Sequence, residues 1–503
     1  MKLLRDRSPA RPSRRLILRL LGGCVAIVLV ATIASATTVF EVVGVVSDAF
    51  SRGVLVKSNQ LTKAKAGAPV TILVLGSDSR VESTVAIDAA DPPHSDSIML
   101  VRLDPGRGQT TVMSVPRDLE VTFSIDGREY IDYKINSAFT FGGPAESLEV
   151  IRNLLNIPIN DVIVMNFQSF ADVVDQLGCV YIDVDHLFYT PPDSGSMAID
   201  LEPGYQPLCG YQALAYTRFR ETDSTFARDA REQDFLRQAK QQLGIISLLT
   251  NPGKLQKIID TVGTGLGTNI RGSNAVLRLV EDAEAAANGP VRQVPFPENA
   301  AVVGPEGSEQ TETPEQIQTV VKSFLSGTAT VKLPHSSRRR KHHHRGATLA
   351  PPAGLIQTPT YVTQQALVLS VRVPFPVELP ALTSIDGSQN DASDFYAYKI
   401  HVPEPAAYAG SSYSGYRVTW ADDSADGGYY GIEGINWTDP PLFRSAPSTQ
   451  IDGRRYMFVL DGSSYHDIGW IRGKDLYWVS NTIFDNLTNA QMLAIAESAS
   501  ALA

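Results

Sequence analysis

Several signatures are missing from this sequence. No GxxxxGKS/T loop occurs, which removes the P-loop nucleotide enzymes. No G-x-S-x-G elbow occurs either, which removes a common frame for serine hydrolases. Positive charge is not in surplus: 44 lysines and arginines face 54 aspartates and glutamates, a net of −10. Two basic runs, net +6 over residues 1–19 and +5 over residues 337–345, leave the rest at −21. A general nucleic-acid binder needs a basic face to displace counterions, and no helix-turn-helix pattern is present, so nucleic acid is not an expected partner. Cysteine is scarce, at three residues. Cys24 falls in an apolar stretch near the N-terminus, leaving Cys179 and Cys209 as an even pair.

One long apolar run is present. Residues 20–40 hold 21 positions without a charge. At about 1.5 Å per residue they span a hydrocarbon core of about 30 Å. The basic flank on the amino side predicts a cytoplasmic N-terminus and an extracytoplasmic bulk, a single-pass protein of the cell membrane. Ala34-Ser35-Ala36 also fits a cleavage site, so a removed signal peptide is the competing reading. Both readings export the remainder. In that compartment Cys179 and Cys209 are expected to form a disulfide worth about 3 kcal/mol, against the alternative of two separate buried thiols.

At 503 residues the chain exceeds one core. Its divisions read as a basic tail (1–19), a transmembrane anchor (20–40), a stalk or first helix (41–67), a first domain (68–330), a linker (331–353) and a smaller second domain (354–503). In the first domain VTILVLG, DSIMLVRL, QTTVMSV, VIVMNF, CVYIDV and VRQVPFP read as strands. PAESLEVIRNLL and QSFADVVDQLG read as helices, the second closed by Gly178, and residues 225–290 read as helical. The expected class is α/β, a sandwich around one mixed sheet. The linker carries SRRRKHHHR and Pro351-Pro352 and reads as a solvated spacer, with attraction to anionic polymer or lipid headgroups as the alternative. In residues 354–503, ALVLSVRV, YAYKIHVP, YRVTW, RRYMFVLDG, HDIGWIRG and DLYWVSNTIF read as strands before a closing helix, an α+β or β-rich unit. Tyr429, Tyr430, Trp437, Trp470 and Trp478 there suit a sugar- or peptide-binding face, although such residues more often fill cores.

The charged residues of the first domain gather at element ends. TVMSVPRDLEVTF ends an apolar run at Pro116, which cannot continue a central ladder, and delivers Arg117 and Asp118. GSDSR supplies Asp78 and Arg80, HSD supplies Asp96, DYKINSAF supplies Lys134, and YTRFRETDSTFARDAREQ supplies Arg218, Arg220, Arg228 and Gln233. Any one of these arginines reads as a surface or ion-paired residue. Together, in an acidic domain, they suit an anion with several oxygens, because guanidinium forks match phosphate bidentately. Asp78 and Asp96 suit a hard cation such as Mg²⁺. Phosphoryl transfer is the chemistry that this combination serves. Outside the membrane there is no ATP pool, so a lipid-linked pyrophosphate is the expected donor.

LVLGSDSR, HSDSIMLVRLDP, VMSVPRDLEV, KINSAFTFGG and ALAYTRFRETDSTFARDAREQ, in that order behind an anchor, resemble the LytR-CpsA-Psr family over about residues 68–250. The resemblance implies an extracytoplasmic, Mg²⁺-assisted phosphotransferase that moves a glycopolymer from undecaprenyl pyrophosphate onto peptidoglycan. It implies an α/β sandwich with a hydrophobic pocket for the polyprenyl chain. It assigns Asp78 and Asp96 to the metal, and Arg80, Arg117, Lys134, Arg218, Arg220, Arg228 and Gln233 to the pyrophosphate. Among these, Asp78, Asp96, Arg117 and Arg220 carry the catalytic assignment. The same residues serve a polyprenyl-pyrophosphate hydrolase or a carrier-binding scaffold. Three positions depart from the family pattern: Thr225 stands for an acid, Glu232-Gln233 for paired glutamines, and His94 for arginine. The unit at 354–503 does not resemble the family's common C-terminal module.

Overall fold

A computed structural model describes most of the chain from Val43 to Leu502; the longest stretches outside it are 1–42, 79–92, 244–256, 335–350 and 403–410. The apolar run at 20–40, the basic run at 337–345 and Arg80 therefore lie outside the described residues. Among the described residues no helix is long and apolar enough to cross a membrane.

Continuous apolar runs form the centre of the first part. Its strands are β1 (Val70–Ser77), β2 (Ser95–Asp104), β3 (Gln109–Ser114), β4 (Glu120–Ile125), β5 (Arg128–Lys134) and β6 (Asp161–Asn166). They are followed by β7 (Val180–Val184), β8 (Gly204–Leu208), β9 (Leu266–Thr268) and β10 (Val291–Val294). The helices are α1 (Ser137–Leu155), α2 (Phe167–Leu177), α3 (Gly210–Arg218), α4 (Thr225–Leu243), α5 (Ser273–Ala287) and α6 (Pro314–Ser326). β1 pairs antiparallel with β2 and parallel with β6, and β3 pairs antiparallel with β2 and parallel with β10. The sheet is mixed.

Strand alternation assigns the layers. Leu73 and Leu75 point to the side where Leu148 and Ile151 of α1 and Phe324 of α6 close the main core. Val70 and Ile72 point to the other side, against Ala286 of α5. Helices thus cover both faces. α1 is broken at Gly143, whose φ of 69° no β-carbon residue adopts easily, and resumes at Pro144. α2 ends on Gly178 in the left-handed region, with φ 90°.

The C-terminal part carries β11 (Phe395–His401), β12 (Ser412–Asp422), β13 (Tyr429–Ile435), β14 (Arg454–Asp461), β15 (Ser464–Arg472) and β16 (Asp475–Ser480). Helices α7 (Thr360–Ala366) and α8 (Asn489–Ser498) accompany them. It is β-rich and antiparallel. It does not hang from a linker alone. Val291 of β10 pairs with Asp461 of β14, so both parts contribute to one 15-stranded sheet. The two parts also meet at Arg417, which is 1% exposed and lies between Asp183 and Glu433, 2.8 Å from the latter. Trp478 Nε1 donates to Asp183 Oδ2 at 2.9 Å, and Tyr205 N donates to Glu433 Oε1 at 2.7 Å. Tyr181 and Tyr205 pack there against Trp437, Leu442, Phe443 and Trp478.

Four local expectations change. ALVLSVRV is not a strand: α7 runs into a 3-10 turn at Leu367–Val371. Val362, Ala366, Leu369 and Val373 are the buried positions, a helical spacing. Residues 225–290 are not helical throughout, because β9 intervenes. Part of the expected stalk is packed: Val54–Leu55 adds a parallel edge strand beside β9, and Thr62 N donates to Ile159 O at 2.9 Å. Tyr430, Trp437, Trp470 and Trp478 form no open face; each is at most 4% exposed and belongs to a core.

Candidate active site

Strand ends bring the charged residues together. Asp78 follows β1 directly; its Oδ1 accepts from His94 N at 2.8 Å, which ties the start and end of the 79–92 segment to one another. Asp96 sits early in β2. Pro116 stops β3, and the turn that follows, with Leu119 N donating to Pro116 O at 3.0 Å, presents Arg117 and Asp118. Lys134 ends β5 and Arg218 ends α3. Arg220 lies just beyond α3, and Arg228 stands in the first turn of α4.

Two aspartates organise the cations. Asp96 accepts from Arg117 through Oδ1 and from Arg218 through Oδ2 at 2.7 Å. Asp118 lies 3.1 Å from Lys134, 3.4 Å from Arg220 and 3.5 Å from Arg117 Nε. The Arg218 guanidinium stacks 4.0 Å above the Phe167 ring, which holds its plane. Arg117, Lys134, Arg218 and Arg220 are therefore fixed by two carboxylates, with Arg220 left 40% exposed. The carboxylates hold the guanidinium forks in fixed orientation, and this clasp of cations could receive an anion without reorganising.

Arg228 is buried beneath it. It donates to Asp229 Oδ1 at 2.6 Å and lies 4.0 Å from Glu232. Burial works against its charge, but Asp229 and Glu232 outweigh that and hold the guanidinium above its ordinary range. Glu232, whose Oε2 accepts from Ser97 Oγ at 2.6 Å, is pushed up to about 7 by burial, with Asp229 and Asp96 nearby. Burial also raises Asp229, against the pull of Arg228.

Of the residues named from sequence, Asp96, Arg117, Lys134, Arg218 and Arg220 meet in this clasp, with Asp118 between them. Arg80 lies outside the described residues. Gln233 does not join: its amide donates inward to Ser114 Oγ at 3.0 Å and the residue is 3% exposed. Its neighbour Glu232 occupies the face that Gln233 was expected to take. The signal was in the spacing, since 228 and 232 share one helix face at i, i+4. Asp229 was also missed; a carboxylate next to an arginine carries no pattern of its own.

Cys179 and Cys209 form a disulfide, with Cα atoms 4.3 Å apart. Cys179 directly follows the end of α2 and Cys209 caps the start of α3. The bond therefore fixes the helix whose far end delivers Arg218.

The family profile described as LytR_cpsA_psr matches residues 45–322, more than half of the chain. The chain belongs to the LytR-CpsA-Psr family. Its similar proteins include the polyisoprenyl-teichoic acid–peptidoglycan teichoic acid transferase TagV of Bacillus subtilis, 33% identical over 180 residues. That match covers 35% of this chain and 45% of the relative. The TagU transferase of Bacillus anthracis is 34% identical over 215 residues, covering 42% of this chain and 64% of the relative. The chain thus spans about half to under two thirds of the length of these curated relatives. Among solved structures, B. subtilis TagV superposes with a TM-score of 0.40 at 25% identity, covering 52% of this chain and 98% of that one. This family member keeps 354–503 as a further unit, beyond the profile match.

Asp78, just past the end of β1, and Asp96, in β2, lie next to the Ser77–Ser95 pairing of these neighbouring strands and carry hard oxygen donors. Among the described residues no group of three or more His, Cys, Asp or Glu is placed to hold a metal ion. Mg²⁺ typically takes one or two carboxylates and fills its shell with water and phosphate oxygens. Both Asp96 oxygens already accept from Arg117 and Arg218, so the ion would have to share that carboxylate with them.

Proposed function

We propose that this chain is a phosphotransferase that moves a glycopolymer phosphate from an undecaprenyl-pyrophosphate carrier onto peptidoglycan, leaving a phosphodiester link. The observation that carries the reading is the clasp: Arg117, Lys134, Arg218 and Arg220 held on Asp96 and Asp118, with Arg220 partly open to solvent. Four cations held on two carboxylates suit an anion with several oxygens, such as a diphosphate. The family relatives, which are named as transferases joining teichoic acid to peptidoglycan, support the donor and acceptor classes.

The chemistry follows from what the residues do. Asp96 and Asp118 keep the guanidinium planes aimed, so little reorganisation is needed when charge develops on the phosphates. The acceptor hydroxyl oxygen bonds to the phosphorus nearer the glycan as its O–H bond breaks. The bridging P–O bond breaks, polyprenyl monophosphate leaves with the electron pair, and the proton ends on the released phosphate. Arg117, Arg218 and Arg220 neutralise the growing negative charge. Mg²⁺ held by Asp78 and Asp96 would supply further charge neutralisation on the phosphate oxygens. Residues 20–40 place the reaction at the outer membrane-water boundary in this reading, where the carrier headgroup lies.

The test uses full-length protein with a short-chain polyprenyl-pyrophosphate glycan and a peptidoglycan acceptor, with and without Mg²⁺. Polyprenyl monophosphate and joined glycan are followed by mass. Joined product that needs Mg²⁺ and is lost in Asp78→Ala sustains the ligase. Monophosphate without joined product assigns a hydrolase, and bound lipid without release assigns a scaffold.

A further inference from the structure

On the other side of Asp229 lies a cavity of about 490 Å³, within the range of small-molecule sites. One wall is the buried face of α4, with Phe226, Asp229 and Gln233, and the stretch from Arg292 to Pro297. The facing wall belongs to the C-terminal part: the β14–β15 turn at Asp461–Ser464 and the loop Ile483–Asn486. Asp229 therefore stands between two compartments. Its Oδ1 holds Arg228 beneath the clasp, while its Oδ2 has no hydrogen-bond partner within the protein, although the residue is buried, 6% exposed. Across the same cavity Gln293 Nε2 is buried and also lacks a partner.

An unpaired buried carboxylate oxygen and an unpaired buried amide donor are each costly to leave unmet. Sugar hydroxyls can meet either need, since a hydroxyl donates to a carboxylate oxygen and accepts from an amide N–H. Rings at Phe226, Phe296 and Phe484 line the cavity and offer flat apolar faces for the C–H side of a pyranose ring. The remaining lining mixes polar residues such as Ser114, Gln233 and Asp461 with apolar ones such as Ala230, Pro295 and Ile483. A polyprenyl chain would strand these polar groups, whereas a sugar uses both kinds of surface.

We propose that this cavity is the acceptor subsite, in which a sugar of the acceptor glycan binds with a hydroxyl on Asp229 Oδ2 and the C-terminal unit forms the outer wall. The assignment rests on the phosphotransferase reading above. It gives residues 354–503 a task in substrate selection: without their wall, α4 and residues 292–297 present an open surface and no pocket.

The test varies the outer wall, away from the clasp. Ser463 is exposed in the β14–β15 turn at the cavity. In full-length protein, Ser463→Trp is expected to raise the acceptor KM at least ten-fold for a soluble glycan-strand tetrasaccharide. Monophosphate release measured without acceptor should stay at the wild-type rate. Phe484→Ala, which removes bulk instead of adding it, should raise the same KM and serves if the tryptophan variant misfolds. Unchanged acceptor KM in both variants overturns the proposal. If the wild type releases no monophosphate at all, the phosphotransferase reading fails on its own account. The cavity is then judged by saturation-transfer NMR with the tetrasaccharide. A transfer signal seen with the wild type and abolished in Ser463→Trp sustains the proposal. No signal with the wild type, or equal signals from both proteins, overturns it.

Discussion

Arg220 and Arg228 are near neighbours in sequence and should answer mutation in opposite ways. Arg220 reaches one carboxylate at 3.4 Å and is 40% exposed, so Arg220→Ala should change stability by no more than about 0.5 kcal/mol. Its loss removes charge neutralisation at the phosphates, so turnover should fall about 10²–10³-fold. Arg228 is 3% exposed and balances Asp229 and Glu232. Arg228→Ala strands both acids and should cost about 3–5 kcal/mol, read as a lower urea midpoint. Sequence could find the clasp because proline stops and short polar motifs mark element ends. It could not tell which of two adjacent side chains, Glu232 or Gln233, lies on the Arg228 side of α4, because that is set by how α4 rolls against β3.

At the level of elements, α3 is held at its start by Cys209 and delivers Arg218 at its end. Replacing both cysteines by alanine frees a segment with a sequence separation of 30 and should cost about 3–4 kcal/mol in the chain-entropy picture. Urea unfolding of the double variant checks the cost, and a rise in donor KM is the expected consequence for the clasp. The sheet strands were legible because uninterrupted apolar runs such as VTILVLG admit few other structures. The turn of helix at 360–371 was not, since ALVLSVRV is rich in β-branched and leucine residues. Its buried positions, 362, 366, 369 and 373, become visible only when the window is opened towards Pro359. Short segments such as Val54–Leu55 carry no pattern of their own; a neighbouring strand, β9, makes them strands.

Across the whole molecule the joint between the two parts is rich in buried ionisable groups. His466 contacts Asp485 at 2.8 Å. Burial and Arg237 press its pKa down, but Asp485 and Asp467 prevail and push it up to about 9. An unfolded histidine titrates near about 6.5. The stabilisation it supplies is therefore complete below about pH 6.5 and is lost as pH rises through about 9. Asp461 and Asp467 are raised mainly by burial, so their contributions also fade as pH climbs. The Tm should fall steadily between pH 6.5 and 9, and His466→Gln should flatten that slope; a Tm that rises over this range contradicts the assignment. None of this was legible beforehand, because Asp183, Glu433, Arg417 and His466 are scattered over some 280 positions and acquire meaning only when two parts close on one another.

The meeting of β10 with β14 has another side. A sheet ending at β10 would leave Val291 O and Gln293 N without the partners that Gly462 and Asp461 supply. It would also bare the apolar patch of Tyr181 and Tyr205, and an open edge and apolar surface are where chains stack into polymers. The C-terminal unit is then a stopper as well as a wall. A fragment ending at residue 330 should self-associate, eluting above its monomer mass and binding an amyloid dye, while the full chain does neither.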